Sequence, residues 1–234
     1  MPKIYAPAFE YWVHKGHTFG QCLHGPVGTS DYSNYIPIPK CGSTWINNVL
    51  LQTLNWQVGN IYTDPGLGNP GGLGLSFNRN LVVLRDPIEK WLSGIAEYVY
   101  RYHDQTFKDN LNKQTLDLIF DRVAFDDHTE KQVYFCHGLH RYRTLFFWCD
   151  SSLSDLFSNF LIGNGVDIDI SRIPPANVTI QDPVKSDIKE KFRDVIENNK
   201  TYKDKLIDYF KADFDLIDSV NFYPLTNENR QSNQ

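Results

Sequence analysis

Two short motifs, each a strand leading into a polar turn and then a helix, constrain this chain more than anything else in it. The first is Ile38-Pro39-Lys40-Cys41-Gly42-Ser43-Thr44-Trp45, and the second is Leu81-Val82-Val83-Leu84-Arg85-Asp86-Pro87, with Ser93 eight residues after the arginine. Asn80 to Leu84, with its apolar run Leu81-Val82-Val83-Leu84, reads as a strand buried on both faces, as in a parallel sheet. Pro87 suits the first turn of a helix, where its missing N–H costs nothing. After Gly42, apolar residues at Ile46, Val49, Leu50 and Leu54 fall on one helical stripe over 43–56. Thr144 to Cys149 reads as a third strand. Helical patterns recur near 111–123, 151–162, 184–199 and 201–219. Strands alternating with helices predict an α/β fold: a three-layer α/β/α arrangement on a central, mostly parallel sheet.

The 234 residues suit one domain spanning 1–234. Residues 1–34, rich in Gly, Pro, Tyr and His, read as an irregular segment, and the polar stretch 226–234 as a frayed tail. A net charge of −5 argues against broad electrostatic capture of nucleic acid or of an anionic membrane. No apolar run is long enough to cross a membrane, and the N-terminus lacks the pattern of a secretory signal. The expectation is therefore a cytoplasmic protein without a membrane anchor. Its four cysteines, Cys22, Cys41, Cys136 and Cys149, form no C-x-x-C pair and read as reduced thiols. Cys136-His137-Gly138-Leu139-His140 has no spacing of a closed metal site, so no metal is expected.

Both turns carry groups suited to phosphate. Lys40 supplies a mobile charge, Gly42 allows close backbone approach, and Ser43 and Thr44 supply hydroxyls at a helix start, where free N–H groups favour an anion. Arg85 offers a fork of donors at the carboxyl end of a buried strand, where open α/β sheets bind ligands. Asp86 is an alternative partner for that charge, which would make Arg85 structural. The first turn is P-loop-like but is no Walker A, because its lysine precedes its only glycine. A ligand with phosphates at two separated positions would satisfy both turns, whereas ATP needs one.

On these residues the chain resembles sulfotransferases that use 3′-phosphoadenosine 5′-phosphosulfate (PAPS). Pro39 to Trp45 is similar to their 5′-phosphosulfate-binding loop, and Arg85-Asp86-Pro87 with Ser93 to their 3′-phosphate site. Asp127-His128-Thr129-Glu130-Lys131-Gln132 resembles an H-x-x-x-Q segment of the carbohydrate branch, and Tyr209 to Phe214 a late Y-x-x-D-F pattern. The resemblance covers about residues 35–105 and thins beyond. It implies that Lys40 contacts the sulfuryl group and the bridging oxygen. Cys41, Gly42, Ser43 and Thr44 would surround the 5′-phosphate, and Trp45 would stack on adenine. Arg85 and Ser93 would bind the 3′-phosphate. It also implies transfer of the sulfuryl group to a hydroxyl or amine of a small-molecule or glycan acceptor, leaving adenosine 3′,5′-bisphosphate. The proton of the acceptor would pass to His128 or, in the loop between the motifs, to Asp64. The alternatives are a nucleotide kinase or other NTPase on a related core, and a non-catalytic descendant that binds a nucleotide or glycan.

Overall fold

The apolar run read from Leu81 to Leu84 is an inner strand of the sheet in the structure, a computed structural model that describes residues 3–5, 21–27, 31–60, 79–102, 111–166, 173 and 182–224. In chain order the elements are β1 (Gln21–Val27), β2 (Asp31–Ile36), α1 (Ser43–Asn48, continued by a π turn at Val49–Thr53), β3 (Gln57–Asn60) and β4 (Arg79–Leu84). Then follow α2 (Pro87–Tyr102), α3 (Lys113–Arg122), α4 (Gln132–Phe135), β5 (Thr144–Trp148) and α5 (Leu153–Gly163). The last are α6 (Pro183–Asn198), α7 (Lys200–Tyr209) and α8 (Lys211–Asp218).

This is an α/β fold with a five-stranded sheet in the order β3-β1-β2-β4-β5. The sheet is mixed, where the sequence predicted it mostly parallel. β2, β4 and β5 run parallel, with Ile36 opposite Val82 and Leu84 opposite Trp148. β1 pairs antiparallel with both β2 and β3. The parallel part is the part the sequence shows, since Leu81, Val82, Val83, Leu84, Phe146 and Phe147 are buried there.

The antiparallel part corrects the reading of residues 1–34 as irregular: Gln21–Val27 is a strand and pairs with Asp31–Ile36. Gly25 and Pro26 hide it, because both are turn residues in an unknown sequence. Here the glycine is needed for close approach. A Cβ on Gly25 would lie 2.4 Å from Cδ1 of Trp56, whose ring is 3% exposed and packs over the strand. The frayed tail expected at 226–234 lies outside the described residues.

The chain divides into two compact units: Met1–Arg85 with Gln132–Ala176 and Leu216–Gln234, and Asp86–Lys131 with Asn177–Asp215. All five strands belong to the first. Its core under the sheet is aromatic: Phe157 meets Tyr35, Trp45 and Phe147 edge-on, with centroids 6.4, 6.1 and 5.5 Å apart.

The second unit is helical. Asp86 begins α2 by accepting the Glu89 N–H at 2.9 Å, Asn112 caps α3, and Asp182 with Pro183 behind it caps α6. Its core gathers Trp91, Ile95, Phe120, Phe192, Leu206 and Phe210. Trp91 donates its indole N–H to the Val123 carbonyl at 2.8 Å, so its polar end is satisfied inside an apolar cluster.

Helices α2 and α6 are also tied by charge. Glu89 accepts from Arg193 and, at 3.1 Å, from Lys189. The Arg193 hydrogen bond, opposed by burial and helped by Lys189, holds the Glu89 carboxyl down from about 4.5 to about 2. A carboxyl depressed in the folded state contributes stability that is complete above its unfolded pKa and is lost as pH falls through the folded one. The Glu89 side chain is 32% exposed, so solvent screens the pair, and we expect a contribution on the order of 1–2 kcal/mol. Denaturant titrations of wild type and Glu89→Gln should differ by that amount at pH 6. The two should converge between about pH 4.5 and 2. A difference that persists at pH 2 would rule out the ion pair as its source.

Candidate functional site

Because β2, β4 and β5 are parallel, the segments after Ile36, Leu84 and Trp148 leave the sheet at one edge. Pro39–Gly42, Arg85 and Cys149 follow these strands, and all belong to the first unit. The Cys149 N–H donates to the Leu84 carbonyl at 2.8 Å, carrying the β4–β5 pairing one step past the strands.

The first turn is built from two left-handed residues. Gly42 has φ 72°, which glycine adopts without cost, and the Ile46 N–H donates to its carbonyl at 3.2 Å as α1 begins. Lys40 has φ 67°, an unusual conformation for a residue with a Cβ. Such strain persists only where the surroundings impose it, and it clusters at functional sites. Here Arg85 helps to impose it: Nη1 of Arg85 donates to the Lys40 carbonyl at 3.0 Å.

Gln132, the first residue of α4, joins the same two turns. Its Oε1 accepts the Arg85 N–H at 2.9 Å and the Cys41 thiol at 3.3 Å, and its Nε2 donates to the Arg85 carbonyl at 2.8 Å. Both backbone groups of Arg85, which lie past the end of the ladder, are thus paired by one side-chain amide. The acceptor faces the N–H and the donor faces the C=O, so the amide has one sensible orientation. Gln132 and Cys41 are each 0% exposed. The sequence placed Gln132 in a motif but gave it no task. A polar residue that starts a helix and is followed by the apolar Val133-Tyr134-Phe135 is the only local signal of it.

Other site residues fall as follows. Ser43 is half-buried and Thr44 exposed at the start of α1. Trp45 is 5% exposed, edge-on to Phe157, with its indole N–H donated to the Ile173 carbonyl at 3.4 Å. Adenine stacking on this ring would require some of that cover to move. Cys149 is half-buried; burial pushes its thiol up, against the pull of Arg85. The Tyr35 hydroxyl, buried and without a hydrogen-bond partner, is also pushed up by burial and by its neighbours Cys41 and Cys149. Asp64 lies outside the described residues.

Ser93 and His128 belong to the second unit. Ser93 is 3% exposed in α2. Nδ1 of His128 lies 3.1 Å from Oδ2 of Asp126 and its main-chain N–H donates to Oδ1 at 3.0 Å, so the carboxylate orients the ring. Burial works to raise the Asp126 carboxyl, but the His128 contacts outweigh it and hold it below the ordinary range. An imidazole held at one nitrogen by a carboxylate is the arrangement of a general base. The H-x-x-x-Q segment therefore spans both units: His128 stands in one and Gln132 in the other.

Around His128 the second unit buries more charge than its sequence suggests. Lys90, 0% exposed, donates Nζ to the carbonyls of His128 at 3.1 Å and Glu130 at 2.6 Å. Tyr209, the tyrosine of the late motif, donates its hydroxyl to Oε1 of Glu130 at 2.6 Å, and Lys131 lies over its ring. These residues hold the His128 loop to α2 and α7.

No protein-family model, curated protein or solved structure matches this chain. No helix among the described residues is long and apolar enough to cross a membrane.

Proposed function

We propose that the chain is a sulfotransferase that moves the sulfuryl group of PAPS to a hydroxyl or amine, with carbohydrates among the acceptor classes. One observation carries this reading. The two turns with phosphate-binding chemistry are joined, Arg85 to the Lys40 carbonyl and Gln132 to both Arg85 and Cys41. A single-phosphate-chain nucleotide has no use for two linked turns. A nucleotide with a phosphosulfate at 5′ and a phosphate at 3′ uses both.

In this reading Pro39–Gly42 is a P-loop-like turn in a three-layer α/β/α fold. Lys40 supplies positive charge where the bridging oxygen becomes negative. Ser43, Thr44 and the N–H groups after Cys41 and Gly42 hold the 5′-phosphate. Arg85 takes the 3′-phosphate, a role for which the sequence also offers Ser93, with Trp45 on the adenine side. A general base, for which the sequence offers His128 and Asp64, accepts the proton of the acceptor as its oxygen or nitrogen bonds to sulfur. The sulfur–bridging-oxygen bond breaks, and adenosine 3′,5′-bisphosphate departs with that electron pair. Positioning and fixed charge do the work, as in phosphoryl transfer.

Thermal shift tests the reading directly. At 100 times its dissociation constant, adenosine 3′,5′-bisphosphate should add about 2.7 kcal/mol, or roughly 5–10 °C for a chain of this size. ATP at the same concentration should add far less. Equal shifts for both would favour the NTPase alternative, and no shift with the bisphosphate would exclude the sulfotransferase.

A further inference from the structure

We propose that Gln132 is the positioning residue that gives the site its preference for a 3′-phosphorylated nucleotide. It does so by fixing the Arg85 peptide and the Lys40 turn as one receptor. This rests on the sulfotransferase reading above and adds the source of its specificity.

A buried amide is costly unless its hydrogen bonds are made, so an apolar side chain would be the simpler way to fill the place of Gln132. Instead, three hydrogen bonds of its side chain go to the two turns. Two of them hold the N–H and C=O of one peptide, that of Arg85. That pairing fixes the backbone from which the guanidinium springs. The guanidinium in turn spends one of its five donors on the Lys40 carbonyl, at the strained residue of the other turn. The chain of contacts runs from Cys41 through Gln132 and Arg85 back to Lys40, and closes through the peptides of Lys40 and Cys41. A closed ring of this kind sets the spacing between a charge meant for one phosphate and a charge meant for another. Specificity between ligands that differ by one phosphate is a difference of affinities, and it depends on that spacing.

The experiment is a set of calorimetric titrations with adenosine 3′,5′-bisphosphate and adenosine 5′-monophosphate. The proteins are wild type, Arg85→Ala, Gln132→Met and the double variant. The selectivity, taken as the ratio of the two affinities on one preparation, does not depend on the fraction of protein that is folded. A charged hydrogen bond to the extra phosphate predicts a wild-type ratio of roughly tenfold to a hundredfold. Gln132→Met keeps the length and volume of the side chain and removes both ends of the clamp. It should bring the ratio to within about threefold of unity, as Arg85→Ala does, and the double variant should lose nothing more. If Gln132→Met does not fold, Gln132→Glu keeps the acceptor and sets an oxygen against the Arg85 carbonyl, and it should lose selectivity in the same way. A Gln132 variant that keeps the wild-type ratio overturns the inference and leaves the sulfotransferase reading standing. So does a double variant whose loss is the sum of two independent ones. Wild-type protein that does not prefer the bisphosphate overturns both.

Discussion

Lys40→Ala should lower kcat by on the order of 10²–10³ while leaving the affinity for adenosine 3′,5′-bisphosphate within about tenfold of wild type. The asymmetry follows from when the charge is needed. In the proposed transfer, negative charge grows on the bridging oxygen as the sulfuryl group leaves, so a lysine there would bind the transition state more tightly than the ground state. Removing one such donor costs about that much in rate in comparable sites. Lys40→Arg should rescue poorly, because a planar fork does not replace a compact ammonium. The backbone provides an internal control. At φ 67°, Lys40 is strained by its Cβ, and a left-handed residue other than glycine costs roughly 1–2 kcal/mol. Lys40→Gly removes the amine and the strain together. Allowing for the greater freedom of glycine in the unfolded chain, Lys40→Gly should be more stable than Lys40→Ala by up to about 1 kcal/mol, and equally inactive. Turnover of PAPS by either variant at the wild-type rate would end the proposed mechanism. A Lys40→Gly protein less stable than Lys40→Ala would show that the turn is not strained.

What the sequence reveals and what it conceals divide along physical lines. Strands buried on both faces are legible because nothing but apolar residues fits there, so Leu81 to Leu84 announces itself, and β5, with Phe146 and Phe147 buried, nearly as clearly. Helix starts are legible where a cap and a proline coincide, as at Asp86-Pro87 and Asp182-Pro183. The strand at Gln21–Val27 is not legible, because a glycine that makes room for Trp56 looks like one that makes a turn. The stretch over 201–219 reads as one helix, yet it breaks at Phe210 into α7 and α8. Phe210 is 0% exposed and continues the apolar stripe, so periodicity alone carries straight through it. In the candidate site, Lys40, Gly42 and Arg85 are singled out in the sequence by their chemistry. Their mutual arrangement depends on Gln132, whose partners lie 91 and 47 positions away. No local pattern encodes a contact at that range. Trp45 is singled out by its place in a motif, and in the structure its ring packs edge-on to Phe157 with the indole N–H on a backbone carbonyl, neither of which a local pattern announces. Asp86, weighed as the partner of Arg85, caps α2.

Gly94→Ala should be among the most damaging single-atom changes available in this chain, against the expectation of helix propensity. Gly94 sits inside α2, where alanine is favoured over glycine by about 1 kcal/mol. The structure reverses that preference. A Cβ on Gly94 would stand 2.1 Å from the carbonyl oxygen of His128, 2.6 Å from its carbon and 3.1 Å from the Thr129 nitrogen. These are backbone atoms, and the loop that carries them is held on several sides. Lys90 binds the His128 carbonyl, the Asp126 carboxylate takes the His128 and Thr129 N–H groups, and Thr129 Oγ1 accepts from Phe125 and Asp126. Moving the loop away breaks buried hydrogen bonds of Lys90, and tilting α2 disturbs the packing of Trp91 and Ile95. Overpacking a tight core costs 1–3 kcal/mol and occasionally more. With the hydrogen bonds added and the helical gain subtracted, we expect a net loss of about 2–4 kcal/mol, a large part of the stability of an ordinary domain. Gly163→Ala is the matching control: a Cβ there meets nothing within 4 Å, so it should be neutral or stabilising. Urea titrations of both variants read the difference in midpoint at unchanged slope. If Gly94→Ala proves as stable as wild type, α2 does not approach the His128 loop this closely.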